Sequence, residues 1–308
     1  MSLDVYEQRF RNLRVNHQRG HVSPHKPCML LAVLQLAEAG GLDRNEIRFT
    51  PALLEPYNEI FEIVRTPNDH PNPYFPFFHL QGDGFWRLQP KPGREAVAEA
   101  MTTARSWSDI EENYDHAYLD SALFELIKNS QALARLREIL IASWFPDSRG
   151  RLEKFFADQA PSIEYERRLH GQIAGKSMEG DPLKYDVPIR DRAFRRAVLE
   201  SYDYRCAASG WRIILPDNTA LVEAAHLIPF SEIQDDDPRN GIALAPSYHW
   251  ALDKHLIAPG PDYKWHVSNF LDPRLPDYRP LLEINGKRIL LPRDKRFWPK
   301  EKLFTVAR

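Results

Sequence analysis

Only two cysteines, Cys28 and Cys206, occur in 308 residues. That scarcity excludes a disulfide framework and a zinc ribbon built on paired CxxC motifs, and it agrees with a reducing compartment. No apolar run approaches the length that spans a bilayer, and the opening MSLDVYEQRFRN lacks the apolar centre of a secretion signal. A cytoplasmic protein with no membrane partner is therefore expected. Charge of one sign is missing too, since 41 Lys and Arg stand against 43 Asp and Glu for a net of −2. Such a chain does not coat nucleic acid indiscriminately, so any nucleic-acid role falls to local basic patches. Repeats and low-complexity tracts are also lacking, and no nucleotide cofactor is expected.

What is present is enough apolar sequence, 43% of residues, for a substantial core and two domains. Residues 4 to 15 read as a helix. HKP then introduces CMLLAVLQLAEAGG, apolar on nearly every side and therefore a buried helix, stopped by Gly40 and Gly41. PALLEPYNEIFEIVR is a second helix interrupted by Pro56. TPNDHPNPYFP reads as a loop, with FFHL and FWRL flanking QGDG as a β-hairpin. Residues 94 to 106 and 118 to 144 are expected to be helical. Residues 146 to 186 read as a connector holding one charged helix near 163 to 173, and a second domain opens near Val187. The expected organisation is α+β: a mixed domain over 1–145, the connector over 146–186, and a second domain over 187–308.

Chemistry concentrates in LVEAAHLIP, the acidic loop QDDDPRNGIAL and PSYHWALDKH. The first is a short strand that puts His226 on one face with Ala224 and Val222, and Glu223 and Ala225 on the other. Pro-Arg-Asn-Gly is a turn signal, with Gly241 able to take a left-handed conformation directly after Asn240. Pro246 opens a helix on which His249 and Asp253 fall four apart on one face. Asp235, Asp236 and Asp237 read as a solvated loop without a ligand role. Trp211, Phe230, Trp250 and Leu252 are expected to pack the segment together. Basic residues gather at Arg9, Arg11, Arg14, Arg19 and Lys26, at Arg190, Arg192, Arg195 and Arg196, and over residues 287 to 302.

Strand, loop and helix with His226, Asn240 and His249 in that order resemble the ββα-metal finger of the HNH nucleases, over residues 192 to 268. The resemblance implies phosphodiester hydrolysis with His226 as general base, Asn240 orienting that base or touching the metal, and His249 as a ligand of Mg²⁺ or Mn²⁺. These residue types suit the task, because an imidazole takes a proton near neutral pH and a divalent cation neutralises charge growing on phosphate. The ligand that many relatives place just before the base is Ala225 here, which leaves Asp253, Asn240 or Glu223 to replace it. The paired CxxC motifs that hold a structural zinc in many relatives are missing, so no such zinc is expected.

PHKPCMLLAVLQLAEAG followed by NPYFPFFHLQGDGFWRL is similar, over residues 3 to 145, to the sulfur-recognition domain that precedes an HNH finger in phosphorothioate-dependent restriction endonucleases. That resemblance implies double-stranded, modified DNA as partner. Phe75 and Pro76 would line an apolar cup for the backbone sulfur, His79 would sit at its edge, and His25, Lys26 and Arg19 would contact the DNA backbone. His79 stands where the family usually has a smaller residue, which keeps base methylation or another mark open. YFPFF can also be read as a strand entering the core. Alternatives from other classes are a protein that reads the mark without cutting, and a zinc-bound module using His226, His249 and Asp253. One finger cuts one strand per engagement, so a double-strand break calls for a homodimer or two visits.

Overall fold

The sequence CMLLAVLQLAEAG forms the centre of the first half of the molecule. In the computed structural model, which describes residues 2 to 18, 21 to 175, 182 to 215 and 217 to 304, this helix spans His25–Glu38, and residues 26 to 36 are all buried. Its end follows the glycine logic of the sequence: Gly40 takes φ +83, and the Gly41 N–H returns to the Leu36 carbonyl at 3.0 Å. Helices Leu3–Arg11, Pro51–Val64 and Ser130–Trp144 contribute the surrounding core through Tyr6, Phe10, Leu53, Phe61, Leu136 and Leu140. Pro56 lies inside its helix without interrupting it. Buried Leu53, Tyr57, Ile60 and Phe61 supply tertiary packing that outweighs the local penalty of the proline.

Two expectations for this half are corrected. The prolines of NPYFPFF do not make a loop and strand but start a helix, Tyr74–His79, with Pro73 at its N-cap and Pro76 in its first turn, where a missing N–H costs nothing. QGDG belongs to the following 3₁₀ turn Leu80–Asp83, closed by Gly84 at φ +81, and is not a hairpin tip. The strand Trp86–Pro90 pairs antiparallel with Tyr114–Leu119, in the register Trp86↔Leu119 and Leu88↔Ala117. Residues 114 to 119 are thus strand where helix was expected from 118: Ala117 and Leu119 alternate into the core, and Tyr114 is buried beyond a register shift at Gln89/Pro90.

The chain divides into two units, one ending at Ile163 and the other beginning at Glu164. The division falls within the stretch read as a connector. A helix of 25 residues, Arg149–Ile173, occupies most of that stretch; its Leu152 and Phe156 join the first core, and its Tyr165 and Leu169 join the second. Among the described residues no helix is long and apolar enough to cross a membrane.

In the second unit, helix Val187–Ser201 buries Phe194 and Val198 against a two-stranded ribbon, Glu223–His226 with Gly241–Leu244. The ribbon is antiparallel, with Glu223 opposite Leu244 and His226 opposite Gly241. Helix Pro246–Asp253 follows with Pro246 at its start, and the hairpin Ile257–Pro259 with Trp265–Val267 covers the core beyond it. Gly241 is extended at φ −119, not left-handed. Its glycine answers a close approach instead, since a methyl there would overlap the Val198 side chain and lie 2.8 Å from Phe194 Cζ. Trp211 and Trp250 are each 57% exposed, so they do not hold the finger. Trp265, Tyr202, Phe194 and Leu244 do so, being buried at the centre.

Candidate functional site

His226 ends its strand with its ring stacked on Phe194, the centroids 3.8 Å apart and the planes 2° from parallel. Its Nε2 lies 3.2 Å from Asp236 Oδ1. The carboxylate is buried, and its other oxygen accepts from the Tyr165 hydroxyl at 2.8 Å and from Arg190 at 3.4 Å. Asp236 is therefore not solvated. Asp237 is buried as well and is held by Arg239 at 2.7 Å and Lys300 at 2.7 Å; these partners keep its carboxyl below the ordinary range although burial alone would raise it. Of the run read as a flexible face, Asp236 and Asp237 are buried acceptors answered by donors, and Asp235 is half-buried and accepts the Asp237 N–H.

Asn240 is fully buried, and its amide is committed to the loop backbone. It accepts from Ile228 N–H at 3.0 Å and donates to the Ile228 and Asp235 carbonyls at 2.9 and 3.0 Å. Of the two roles expected for it, metal ligation is withdrawn, because every hydrogen-bonding group of the amide faces the chain that follows the base. Asn240 closes that loop.

His249 lies on the helix opposite Glu223 of the strand, with Nδ1 2.8 Å from Glu223 Oε2 and Nε2 3.8 Å from Asp253 Oδ2. A carboxylate only accepts, so Nδ1 donates to Glu223, and Nε2 is the nitrogen turned toward Asp253. An imidazole held by one carboxylate and turned toward another suits a divalent cation at Nε2 and Asp253, with Glu223 orienting the ring from behind. Among the described residues no three His, Cys, Asp or Glu side chains group closely enough to cage a metal ion. A hard cation that completes its shell with water and phosphate oxygens fits a two-ligand edge better.

In the first unit, His25, Lys26, Phe75, Pro76 and His79 line one cleft of about 560 Å³. The structure thus gathers five of the six residues expected to meet DNA, and Arg19 lies outside the described residues. Phe75 is partly exposed at 37% while Pro76 is buried, and the Phe75 ring stacks on His79 at 6.3 Å. Phe77, the next aromatic, is core.

Two of the backbone-contact assignments change. His25 Nε2 faces the His70 carbonyl at 2.9 Å, and Nδ1 faces the Ser23 hydroxyl at 2.8 Å. Both nitrogens are thus used, and burial pushes the pKa of the ring below the ordinary value. His25 braces the wall of the cleft. Lys26 is buried and paired with Asp83 at 2.6 Å, and Asp83 also takes the Arg14 N–H at 2.7 Å. Arg14, exposed on the same cleft, replaces it as the cation turned toward solvent. Several other expected basic contacts are likewise internal: Arg9 pairs with Asp120, Arg11 with Glu7, Arg190 with Asp236 and Arg196 with Glu166.

Sequence reasoning missed Asp236, Tyr165 and Phe194 and undervalued Glu223. Nothing in DDD separates its middle member from its neighbours, and Tyr165 lies 71 positions from Asp236. For Glu223 a signal existed, since it shares a strand face with Ala225, where the usual ligand is missing.

Residues 206 to 258 match the family model of an HNH endonuclease, and residues 4 to 154 match that of the ScoMcrA-like DNA sulfur-binding domain. Among solved structures the chain is similar to the sulfur-binding domain of SprMcrA complexed with phosphorothioated DNA, at 18% identity over 47% of this chain and 86% of that one, with a TM-score of 0.37. It is also similar to the phosphorothioation-dependent Type IV restriction endonuclease ScoMcrA, at 11% identity over 80% of this chain and 94% of that one, with a TM-score of 0.35. A third likeness is to the modification-dependent TagI restriction endonuclease, at 17% identity over 40% of this chain and 38% of that one, with a TM-score of 0.29. No curated protein matches the chain. The chain therefore joins a DNA sulfur-binding domain over residues 4 to 154 to an HNH endonuclease domain over residues 206 to 258.

Proposed function

We propose that the protein hydrolyses double-stranded DNA carrying phosphorothioate linkages, with His226 as general base and Mg²⁺ or Mn²⁺ held by His249 and Asp253. The observation that carries the reading of the mark is the convergence of Phe75, Pro76 and His79 on one cleft beside Arg14. Sulfur in place of a non-bridging oxygen is larger, softer and less hydrated. An apolar wall therefore discriminates it where a hydrogen-bond donor would favour oxygen. Arg14 supplies charge for neighbouring phosphates, which positions the duplex without reading it.

In the second unit the division of labour follows from the two histidines. His226, stacked on Phe194 and partly exposed, takes the proton of a water as its oxygen attacks phosphorus. His249, fixed through Nδ1 by Glu223, presents Nε2 beside Asp253. A divalent cation there supplies positive charge for the phosphate and the departing sugar oxygen. Asn240 keeps the loop after the base in place by its three backbone contacts.

The test compares nicking of plasmids prepared with and without phosphorothioate. Cleavage confined to the modified plasmid is expected. In the full chain, His226→Ala should abolish cutting while duplex affinity stays within about threefold, because a general base acts on the transition state and little on ground-state binding. With that inactive variant, modified duplex should bind at least about tenfold more tightly than plain duplex, about 1.4 kcal/mol. Equal affinities would reject sulfur reading and direct the search to base modifications; full activity of His226→Ala would reject the base.

A further inference from the structure

We propose that Asp236, held by Tyr165 and Arg190, is a positioning residue of the nuclease reaction. It keeps the His226 proton on Nε2, so that Nδ1 is the nitrogen that accepts a proton from water. The inference rests on the reading of His226 as general base and adds which nitrogen acts and what selects it.

The geometry is specific. His226 Nε2 and Asp236 Oδ1 are 3.2 Å apart, and an ionised carboxylate offers no proton, so the ring nitrogen must carry it. A neutral imidazole has one protonated nitrogen and one lone pair, which places the lone pair on Nδ1. The ring cannot readily turn over, because it lies flat against buried Phe194 at 3.8 Å. Stacking sets the plane, and Asp236 sets the tautomer within that plane.

Asp236 is itself constrained from two helices. Its Oδ2 accepts the Tyr165 hydroxyl at 2.8 Å and Arg190 at 3.4 Å, and the Arg190 guanidinium rests 4.0 Å over the Phe230 ring. The carboxylate is 6% exposed and Arg190 is 7% exposed. Burying such a pair costs desolvation that apolar residues of similar volume would avoid. An ion pair with one oxygen turned onto the base gains a use that this cost otherwise lacks. Asp235 and Asp237 have no such contact; Asp235 accepts the Asp237 N–H, and Asp237 is occupied by Arg239 and Lys300.

The chemical consequence follows the proton. As the water oxygen bonds to phosphorus and the bond to the leaving sugar oxygen breaks, the proton of the water moves to Nδ1. The leaving oxygen takes up a proton from solvent. The imidazolium then present has Nε2–H directed at a carboxylate, which stabilises the charge formed. An asparagine at 236 would remove that charge and can turn its NH₂ toward the ring, favouring the opposite tautomer with Nδ1 protonated.

The experiment uses the full chain labelled with ¹⁵N-histidine, with the His226 signal identified by its loss in His226→Gln. The spectrum is recorded at pH ~8, where an ordinary imidazole is neutral. The wild type is expected to show His226 with Nε2 protonated and Nδ1 free. Asp236→Asn is expected to shift the ring toward the Nδ1–H form and to lower kcat on phosphorothioated plasmid by at least about 10²-fold, with KM within about threefold. Asp236→Glu, which keeps the charge, should recover part of that loss. A wild-type ring protonated on Nδ1 overturns the proposal without recourse to any variant, and so does an Asp236→Asn enzyme with kcat within threefold of wild type. Failure of the general-base reading appears separately, as persistent cleavage by His226→Ala.

Discussion

Replacing Asn240 by alanine separates a loop-bracing role from a chemical one. The amide makes three contacts: with Ile228 N–H at 3.0 Å, the Ile228 carbonyl at 2.9 Å and the Asp235 carbonyl at 3.0 Å. The two at Ile228 are buried, and the third is partly accessible to water. Removing one partner of a buried pair leaves a desolvated group behind, at about 1–3 kcal/mol each, whereas the third contact loses about 1 kcal/mol. Asn240→Ala should therefore destabilise the second unit by about 3–7 kcal/mol, lowering its Tm by roughly 10–20 °C for a unit of this size. Urea unfolding and a thermal scan of the full chain measure it. Asn240→Asp sharpens the test, because it keeps the acceptor for Ile228 N–H but loses both donations and buries a charge. It should be at least as unstable as the alanine variant. If Asn240 were instead a metal ligand, the aspartate would hold a divalent cation at least as well and retain activity. Alanine destabilisation below about 1 kcal/mol together with lost cleavage would refute the bracing role.

Chelation by EDTA should stop cleavage and Mg²⁺ or Mn²⁺ should restore it, with Tm changed by no more than about 2 °C, since the finger is held by its core and ribbon; unfolding of the second unit on chelation would make the metal structural. Lys26→Met alone leaves Asp83 buried without its cation and should cost about 3–5 kcal/mol, whereas Lys26→Met with Asp83→Leu should lie closer to wild type in urea unfolding. A double variant no better than the single would show that the pair is not the source of the loss. For His25, burial lowers the folded-state pKa below the unfolded value near 6.5. The unfolded chain then binds more protons than the folded one as pH falls below that value. Stability from this residue is therefore present above pH ~6.5 and is lost as pH falls toward the folded pKa, and His25→Gln should flatten that slope in unfolding measured from pH ~7.5 down to ~5.

Local patterns survived into the structure where one residue type had one physical use. The all-round apolar helix, its glycine stop, the strand bearing His226 and the helix opened by Pro246 are of this kind, because burial on every side, φ > 0 and the first-turn tolerance for proline each have few alternatives. The errors fall where a type has two uses. Proline in NPYFPFF marks a loop or begins a helix, and Gly241 serves either a left-handed turn or close packing; only Phe194 and Val198, more than forty residues away in sequence, decide the latter. Charged residues were hardest to place. Whether Lys26, Arg190 or Asp236 meets solvent depends on a partner far along the chain, and each has one: Asp83, Asp236 and Tyr165.

The same dependence explains how the finger stands without paired cysteines. Cys206, where a first zinc ligand would be sought, is buried, and its sulfur accepts the Ser209 N–H at 3.4 Å and the Ala245 N–H at 3.3 Å. Ala245 is the N-cap residue of the helix carrying His249, so the contact ties the turn after Val187–Ser201 to the start of that helix. The neighbouring Ala207 donates to the Ala243 carbonyl at 2.8 Å, and its own carbonyl receives Leu290 N–H at 3.0 Å and Trp265 Nε1 at 3.3 Å. These bonds join the turn, the second ribbon strand and the covering hairpin at one point, which is the geometric work a structural metal would otherwise do. In the proposed site, with Ala225 offering no ligand, Asp253 would stand in front of the His249 imidazole and Glu223 behind it, so the registration of helix against strand, set at Cys206 and Gly241, would determine whether the two histidines serve one phosphate.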